Sequence, residues 1–234
     1  MIVELRQYTL HPGTRDVLIE LFDREFVESQ EAVGMQVFGQ FRDLEDPDRF
    51  VWLRGFRDMP TRARALEAFY GGPVWKRHLD AANATMIDSD NVLLLRPARP
   101  WSGFSVENDE RPPPGSPEVS GGLVVAAIWH LDATAGTEFL DFFESAVDPA
   151  LKDAGASILG YFVTETSPNN FPALPVREDE NVFVCISGFS DQAAYELHVA
   201  ALARSDVANA LTPRLRDRPE VLKLAPTSRS KLRA

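Results

Sequence analysis

The sequence repeats itself in fixed order, and this repetition constrains the fold more than any other feature. The segment 3–10 reappears in outline as 124–131, which is 121 positions later. Two glycines recur at the same spacing: Gly34 and Gly39 correspond to Gly155 and Gly160. A self-match that keeps its order along the chain indicates a duplicated structural unit.

Two further segments extend the repeat. Residues 50–56 match 183–189 at an offset of 133 positions, and residues 92–97 match 221–226 at an offset of 129. The offset changes only between predicted strands, so we expect insertions and deletions to lie in loops and at helix ends.

Each copy has the same predicted order of elements. Alternating or β-branched segments predict strands at about 2–10, 35–42, 49–56 and 92–96 in the first copy. A stripe of Leu18, Leu21, Phe22 and Phe26 predicts a helix after the first strand. A second helix, from about 61 to 70, breaks at a Gly-Gly pair and restarts at Pro73. The order β-α-β-β-α-β is the ferredoxin-like pattern.

We therefore predict an α+β fold of two tandem ferredoxin-like units, whose antiparallel sheets face each other as an intrachain pseudo-dimeric α/β barrel. The expected boundaries are residues 1–98, a Pro-rich linker at 99–121, a divergent repeat at 122–226 and a frayed tail at 227–234. Trp101 and Phe104 are expected to pin the linker to the body. The loop at 165–181 is about twelve residues longer than its counterpart, and loops of that length are typical of lids, interface arms or disorder.

Composition excludes several classes of protein. A net charge of −11 disfavours nucleic acid and anionic lipid as partners, and no apolar run is long enough to span a membrane. The single cysteine, Cys185, cannot form an intrachain disulfide and suits a reducing cytoplasm. The spacings of His and Cys match no metal motif, so we expect no metal and no cofactor.

The first copy resembles the NIPSNAP family within the dimeric α/β-barrel superfamily. The resemblance depends on four segments: Glu4–Leu10 with Pro12–Gly13, Gly39–Phe41, Phe50–Phe56, and Tyr70–Lys76. The second copy is similar only in outline. No general reaction is attached to this family, but relatives with the same barrel include cofactor-free monooxygenases and haem-binding enzymes, so the resemblance implies a fold more than a chemistry.

The alternation of side chains assigns residues to two faces of the first sheet. We expect the aliphatic face to pack against the helices. The opposite face would then line the space between the two sheets: Arg6, Tyr8, Gln40, Trp52 and Arg54. The corresponding residues of the second copy are smaller or more apolar: Ala127, Trp129, Tyr161, Cys185 and Ser187.

These faces supply the candidate site. His78, Arg54 and Tyr8 are the candidate catalytic residues, because an imidazole can act as a base near neutral pH and a guanidinium can hold a carboxylate or enolate. The candidate substrate-binding residues are Arg6, Gln40, Trp52, Trp75, Trp129 and Tyr161. The structural alternative is that Glu4 simply pairs with Arg6 or Arg54 in a polar interface, and that His78 bonds to backbone.

Three functions remain open at this point. The first is a protein that binds a small aromatic or carboxylate molecule between its sheets, with cofactor-independent oxygenation, isomerisation or proton transfer. The second is a non-catalytic interaction protein. The third is a haem-binding protein with His78 or His198 as ligand. Exposed strand edges would favour a homodimer.

Overall fold

The computed structural model describes residues 1–105, 110–117 and 122–234. It is an α+β fold built on eight antiparallel strands that close into a barrel. In chain order the strands are β1 (Ile2–Leu10), β2 (Gln36–Asp43), β3 (Arg49–Phe56), β4 (Met86–Pro97), β5 (Leu123–His130), β6 (Ser157–Thr164), β7 (Val182–Phe189) and β8 (Glu220–Pro226).

Helices cover the outside of the barrel. The described residues form α1 (Arg15–Leu21), α2 (Val27–Glu31), α3 (Met59–Tyr70), α4 (Pro73–Asn83), α5 (Thr137–Phe142), α6 (Asp148–Asp153), α7 (Gln192–Leu202) and α8 (Val207–Leu211). Two π-helical turns, Phe22–Phe26 and Phe143–Val147, join α1 to α2 and α5 to α6, and a 3₁₀ turn follows α8 at Thr212–Arg214. No helix of the described chain is long and apolar enough to cross a membrane.

The strand order around the barrel is β1-β3-β2-β8-β5-β7-β6-β4, with β4 returning to β1. We call β1–β4 with α1–α4 the first half and β5–β8 with α5–α8 the second half. The halves join edge to edge through short ladders between β2 and β8 and between β4 and β6. Each half therefore supplies the edge partners that the other half needs.

The strand registers of the two halves coincide at the offsets predicted from the sequence. Arg6 lies opposite Trp52 in the first half, and Ala127 lies opposite Cys185 in the second. The echoed glycines also have a physical role. At Gly39 a side chain would clash with the Phe41 ring at 2.4 Å, in a strand whose register shifts at the same point. Gly160 makes the equivalent shift in β6.

Aliphatic and aromatic residues from both halves fill the barrel interior. They include Val3, Leu5, Phe41, Val51, Leu53, Val124, Ala126, Phe162, Val184 and Ile186, all nearly inaccessible to solvent. The interior is therefore a packed core that both halves share, and its packing stabilises the closed barrel.

The expected assignment of faces was wrong. Tyr8 and Trp52 pack with Phe22, Phe26 and Phe69 of the first-half helical layer, outside the barrel. The simpler apolar face lies inside instead, because apolar side chains fill the narrow interior of an eight-stranded barrel without leaving buried polar groups unpaired. The face of the first-half sheet that carries Arg6 and Arg54 is thus covered by helices. The candidate site lies between this sheet and its helices, and not between the two sheets as expected.

The carboxy-terminal tail is also ordered, contrary to the expected frayed end. The backbone amides of Lys231 and Leu232 donate to the Phe38 carbonyl at 3.1 and 2.8 Å, and Leu232 joins the barrel core. In the linker, Phe104 packs on Phe38 with ring centroids 4.9 Å apart, whereas Trp101 is 71% exposed.

Candidate functional site

One carboxylate and three arginines form a buried cluster on the outer face of the first-half sheet. Glu4 Oε2 accepts hydrogen bonds from Arg6 Nη1 and Arg54 Nε, both at 2.7 Å. Glu4 Oε1 accepts from Arg62 Nε on α3, also at 2.7 Å. All four side chains are essentially inaccessible to solvent. We call these four residues the arginine cluster.

Two tyrosines lie beside the arginine cluster. Arg6 Nε donates to the Tyr8 hydroxyl at 3.0 Å, and Arg54 Nη1 donates to the Tyr70 hydroxyl at 3.4 Å and to Gln30 Oε1 at 3.1 Å. The Arg54 guanidinium also lies 4.9 Å from the centre of the Trp52 ring. The cluster thus connects β1 and β3 to the helices above them.

Three buried nitrogens around the cluster lack a hydrogen-bond acceptor among the described residues: Arg54 Nη2, Arg62 Nη2 and Trp52 Nε1. All three are donors. An unpaired buried polar group costs free energy, so each such group needs an explanation.

Electrostatics keep the cluster charged. Burial would raise the pKa of Glu4, but the charges of the three neighbouring arginines outweigh it and hold that pKa well below its usual range. Burial raises the pKa of Tyr8, so its hydroxyl stays protonated near neutral pH. Burial lowers the pKa of Arg62 despite its contact with Glu4.

A small cavity of about 30 Å³ lies between the sheet and the helices of the first half, next to the arginine cluster. Aromatic side chains dominate its wall, with Gln30 as a polar group: Tyr8, Leu18, Phe22, Phe26, Gln30, Trp52, Phe69, Tyr70, Trp75, Ala82 and Met86. In this form the cavity holds about one water molecule. A larger ligand therefore requires side chains at its rim to move.

A π-helical turn places two of these aromatic residues. Phe22 and Phe26 are the first and last residues of the π-helical turn between α1 and α2, and they direct their rings against Trp52 and Trp75. π-Helical turns inside α-helices occur frequently at functional sites. The second half has its turn at the equivalent position, starting at Phe143, but there Phe143 packs on Tyr161 and Phe183.

The long loop 165–181 of the second half covers the first-half site. The side-chain oxygens of Asn169 and Asn170 accept hydrogen bonds from Arg62 Nη1 at 3.0 and 2.8 Å. Phe171 stacks on Tyr70, with the ring centroids 6.1 Å apart. The length of this loop is typical of a lid, an interface arm or disorder, and its contacts match a lid.

The predicted site residues fall into two groups. Arg6, Arg54, Tyr8, Trp52 and Trp75 lie together at the cavity or in the arginine cluster behind it. The remaining predicted residues lie elsewhere: Gln40, His78, Trp129 and Tyr161.

Each residue of the second group has other contacts. Gln40 Nε2 donates to Asp23 Oδ1 at 3.1 Å. His78 Nε2 lies 3.5 Å from Glu25 Oε2, with its ring 6.3 Å from that of Phe26, and it does not line the cavity. Tyr161 and Trp129 lie in the apolar outer layer of the second half, where the Tyr161 hydroxyl donates to Glu144 at 2.8 Å.

The histidine proposed as an alternative haem ligand is enclosed by the second half. His198 Nδ1 lies 3.2 Å from the Ala154 carbonyl oxygen, and its ring packs between Phe189 and Tyr195. Burial lowers the pKa of His198, which favours the neutral ring. No group of three or more His, Cys, Asp or Glu side chains within the described ranges is placed to hold a metal ion.

Sequence reasoning missed Arg62, Tyr70, Asn169 and Asn170. The signal for Arg62 was present, because this residue shares the apolar stripe of α3 with Ala65, Leu66 and Phe69. An arginine at such a position indicates a buried partner. The two asparagines gave no signal, since their partner lies more than 100 positions away.

Comparisons with known proteins agree with this geometry at the level of the fold. A putative monooxygenase from Lactobacillus acidophilus NCFM has a similar structure, with a TM-score of 0.57 and 14% identity, covering 96% of this chain and 93% of that one. An anthrone oxidase-like protein gives a TM-score of 0.53 and 14% identity over 100% of this chain and 95% of that one. These likenesses show the shared barrel fold. A comparison with curated proteins finds no match.

The first half also matches a family in sequence. A NIPSNAP-like domain protein from Burkholderia xenovorans is 25% identical, with a TM-score of 0.39, over 50% of this chain and 95% of that one. The NIPSNAP family model matches residues 3–102, the segment that contains Glu4, Arg6, Arg54 and Arg62. The segment 3–102 is therefore similar to the NIPSNAP family.

Proposed function

We propose that the protein binds a small aromatic organic molecule in the cavity between the sheet and helices of its first half, and that it acts on this molecule without a cofactor. The reaction classes that fit are oxygenation, isomerisation or another proton transfer. The carrying observation is the pair formed by Arg6 and Tyr8 beside a cavity with an aromatic wall. The names of similar folds, a putative monooxygenase and an anthrone oxidase-like protein, support this reaction class.

Tyr8 is the proposed proton donor. Because Arg6 Nε donates to the Tyr8 oxygen, the hydroxyl hydrogen remains available to an oxygen atom of a bound molecule. The raised pKa of Tyr8 keeps that hydrogen in place at neutral pH. Arg54 would stabilise developing negative charge. The His78 ring lies 6.3 Å from that of Phe26 and outside the cavity wall, and His78 stays a proposed base.

Binding is assigned mainly to rings. Trp52 and Trp75 offer flat apolar surfaces to the cavity. Arg6 lies behind Tyr8, to whose hydroxyl it donates a hydrogen bond. Gln40, Trp129 and Tyr161 are outside the cavity wall, so their proposed role in substrate binding would be indirect.

The test is oxygen consumption and product formation with anthrone as the substrate. We expect Tyr8→Phe to reduce turnover by about 10²-fold, the low end of general acid–base catalysis. Tyr195→Phe, which changes a tyrosine of the second half, serves as the matched control and should retain the activity. Equal turnover in Tyr8→Phe and Tyr195→Phe would remove Tyr8 from the mechanism, and absence of turnover with binding intact would leave a binding protein.

We also propose that the two halves are tandem ferredoxin-like units, at residues 1–98 and 122–226. Together they would form an internal pseudo-dimer. Coincident registers support it, as do the N-caps at equivalent positions, where Asp58 accepts from the Thr61 amide and Asp191 from the Ala194 amide. Each unit expressed alone should then self-associate through its open edge strands, which size-exclusion chromatography with light scattering would detect.

For the assembled state we still propose a homodimer. For the location we still propose a reducing cytoplasm. The exposed Leu197 and Val199 on α7 support a contact surface there. Light scattering of the full chain tests it, and a monomeric mass at micromolar concentration would contradict it.

A further inference from the structure

Each buried side-chain atom at the arginine cluster that lacks a partner is a hydrogen-bond donor. From this arrangement we infer that the ligand of the first-half cavity is an organic anion, whose carboxylate or enolate oxygens accept hydrogen bonds from Arg54 and Arg62. This inference rests on the proposed function and specifies the class of molecule.

The charge balance is the first argument. Among the described residues that bond the three arginines, Glu4 is the only acid, so one negative charge faces three positive charges. The other acceptors are neutral: the hydroxyls of Tyr8 and Tyr70, amide oxygens of Gln30, Asn169 and Asn170, the Ser89 carbonyl and the Met35 sulfur. Tyr8 does not supply the missing charge, because burial keeps its hydroxyl protonated. Two positive charges thus remain without a counter-charge in a region closed to solvent.

The free donor atoms are the second argument. Arg54 Nη2 and Arg62 Nη2 belong to side chains with no solvent exposure, and neither has an acceptor among the described residues. Arg62 meets the covering loop only through Nη1. Its Nη2 therefore stays available while the loop is closed. A guanidinium presents a planar fork of donors, which suits the two oxygens of a carboxylate.

The second half provides an internal comparison. The residues equivalent to Glu4, Arg6, Arg54 and Arg62 are Val125, Ala127, Ser187 and Tyr195, by the coincident registers of the strands and the equivalent N-caps of α3 and α7. That half folds over the same barrel with no charged residue at any of these positions. Since the architecture does not require the charges, and buried charges are seldom a net gain in stability, their presence in the first half favours a role in binding.

The route to this site passes the rim of the cavity. Tyr70 and Trp75 are only partly buried there, and Phe171 of the covering loop stacks on Tyr70. Outward movement of these rings would admit a planar molecule, place its ring among the aromatic side chains and direct its anionic group at the arginines. The aromatic wall and the cationic end thereby select for the same molecule, an aromatic acid.

The binding test compares two probes of equal shape, naphthalene-1-carboxylate and its neutral carboxamide, by isothermal titration calorimetry at neutral pH with the full chain. We expect the carboxylate to bind about tenfold more tightly, which corresponds to one charge-assisted hydrogen bond. Arg62→Met should abolish this preference while Arg64→Met, on the exposed side of the same helix, should keep it.

The outcomes separate the two proposals. Equal affinity for both probes would overturn the anion inference and leave a neutral aromatic ligand for the cavity. Binding of neither probe would contradict the proposed binding function as well. A preference for the carboxylate that Arg62→Met and Arg54→Met both leave unchanged would place the anion elsewhere and would also overturn the inference.

A measurement on the wild-type chain keeps the inference testable if the variants fold poorly. At equal concentration, naphthalene-1-carboxylate should raise the midpoint of thermal unfolding more than its carboxamide does, because only the anion compensates the buried guanidinium charges. Equal shifts of the midpoint with the two probes would contradict the inference.

Discussion

Arg62 on α3 donates a hydrogen bond from Nε to Glu4 Oε1 on β1 at 2.7 Å, although 58 positions separate the two residues. Glu4 also receives Arg6 and Arg54 on its other oxygen. A single buried carboxylate therefore joins two strands and a helix of the first half. It holds three cations that would otherwise repel one another.

Loss of the Glu4 charge should destabilise the fold strongly. We expect Glu4→Gln to lower the free energy of unfolding by about 3–5 kcal/mol, because it leaves three buried guanidiniums without a counter-charge. Urea denaturation at pH 7 measures this. Glu20→Gln is the control, since Glu20 pairs with Arg24 on the exposed surface and should change stability by less than about 0.5 kcal/mol. Similar effects of the two substitutions would contradict the role of Glu4.

Wild type and Glu4→Gln should differ less in their free energy of unfolding at acidic pH. The folded state holds the pKa of Glu4 well below its usual range, so the unfolded chain binds the additional proton as pH falls. The stabilisation by Glu4 is fully present above about pH 4.3, the ordinary pKa of a glutamate, and is lost progressively below it. The difference in the free energy of unfolding between wild type and Glu4→Gln should therefore decrease as the pH falls below about 4.

Asp23 should have the opposite dependence on pH. Burial raises the pKa of Asp23 to about 6, although Arg229 and Arg111 lie near and Gln40 donates to its carboxylate. The folded state holds a proton that the unfolded chain releases between about pH 4 and 6, so the contribution of Asp23 to stability falls as pH rises through that window. Asp23→Asn should be more stable than wild type by about 1–3 kcal/mol at pH 7 and equal to it near pH 4.

Chemical denaturation at pH 4, 5, 6 and 7 checks this prediction. Asp16→Asn, which changes an exposed aspartate of α1, is the control for altered net charge. A difference between Asp23→Asn and wild type that does not vary with pH would show that Asp23 titrates normally in the folded protein.

Cys185 should be inert in the native state. Its side chain is buried in β7, and burial raises the pKa of the thiol to about 12, so almost no thiolate exists near neutral pH. We expect Ellman's reagent to react with one thiol in denaturant and with none in the native protein over many minutes. Prompt reaction of the native protein would restore Cys185 as a candidate nucleophile.

The cover over the arginine cluster should loosen when its polar contact is removed. Asn170→Ala deletes the acceptor 2.8 Å from Arg62 Nη1 and the bond from Asn170 Nδ2 to the Met59 carbonyl at 2.7 Å. Each lost bond is worth about 1 kcal/mol, so we expect amide exchange in 165–181 to accelerate by about fivefold or more. Ser167→Ala, which affects only a contact with Glu165 inside the loop, is the control. Unchanged exchange in Asn170→Ala would show that packing of Phe171 alone holds the cover.

Local patterns in the sequence predicted most of the elements. Gly39 and Gly160 marked the same irregularity in two strands, and Pro73 marked the start of α4. These features are local, because a missing Cβ or a missing N–H acts on the residue's own backbone. Local segments of the first copy also carried the resemblance to the NIPSNAP family, which the match over residues 3–102 confirms.

Only the tertiary structure decided which face of the sheet is inside. Period-two alternation separates Leu5 from Arg6 and Leu53 from Arg54, but it does not say which member of each pair enters the barrel. The closed barrel takes the aliphatic set, since its interior is too narrow for paired guanidiniums and indoles. The charged side chains therefore face the helices, where Arg62 of α3 donates a hydrogen bond to Glu4.

The sequence by itself determined the repeat, the offsets between its copies and the asymmetry between Arg6 and Ala127 or Arg54 and Ser187, because these follow from residue type and spacing. The tertiary structure alone decided that the asymmetric wall faces outward, and that Asn169 and Asn170 of the second half cover it. Contacts across more than 100 positions depend on the closure of the barrel, which no local pattern encodes.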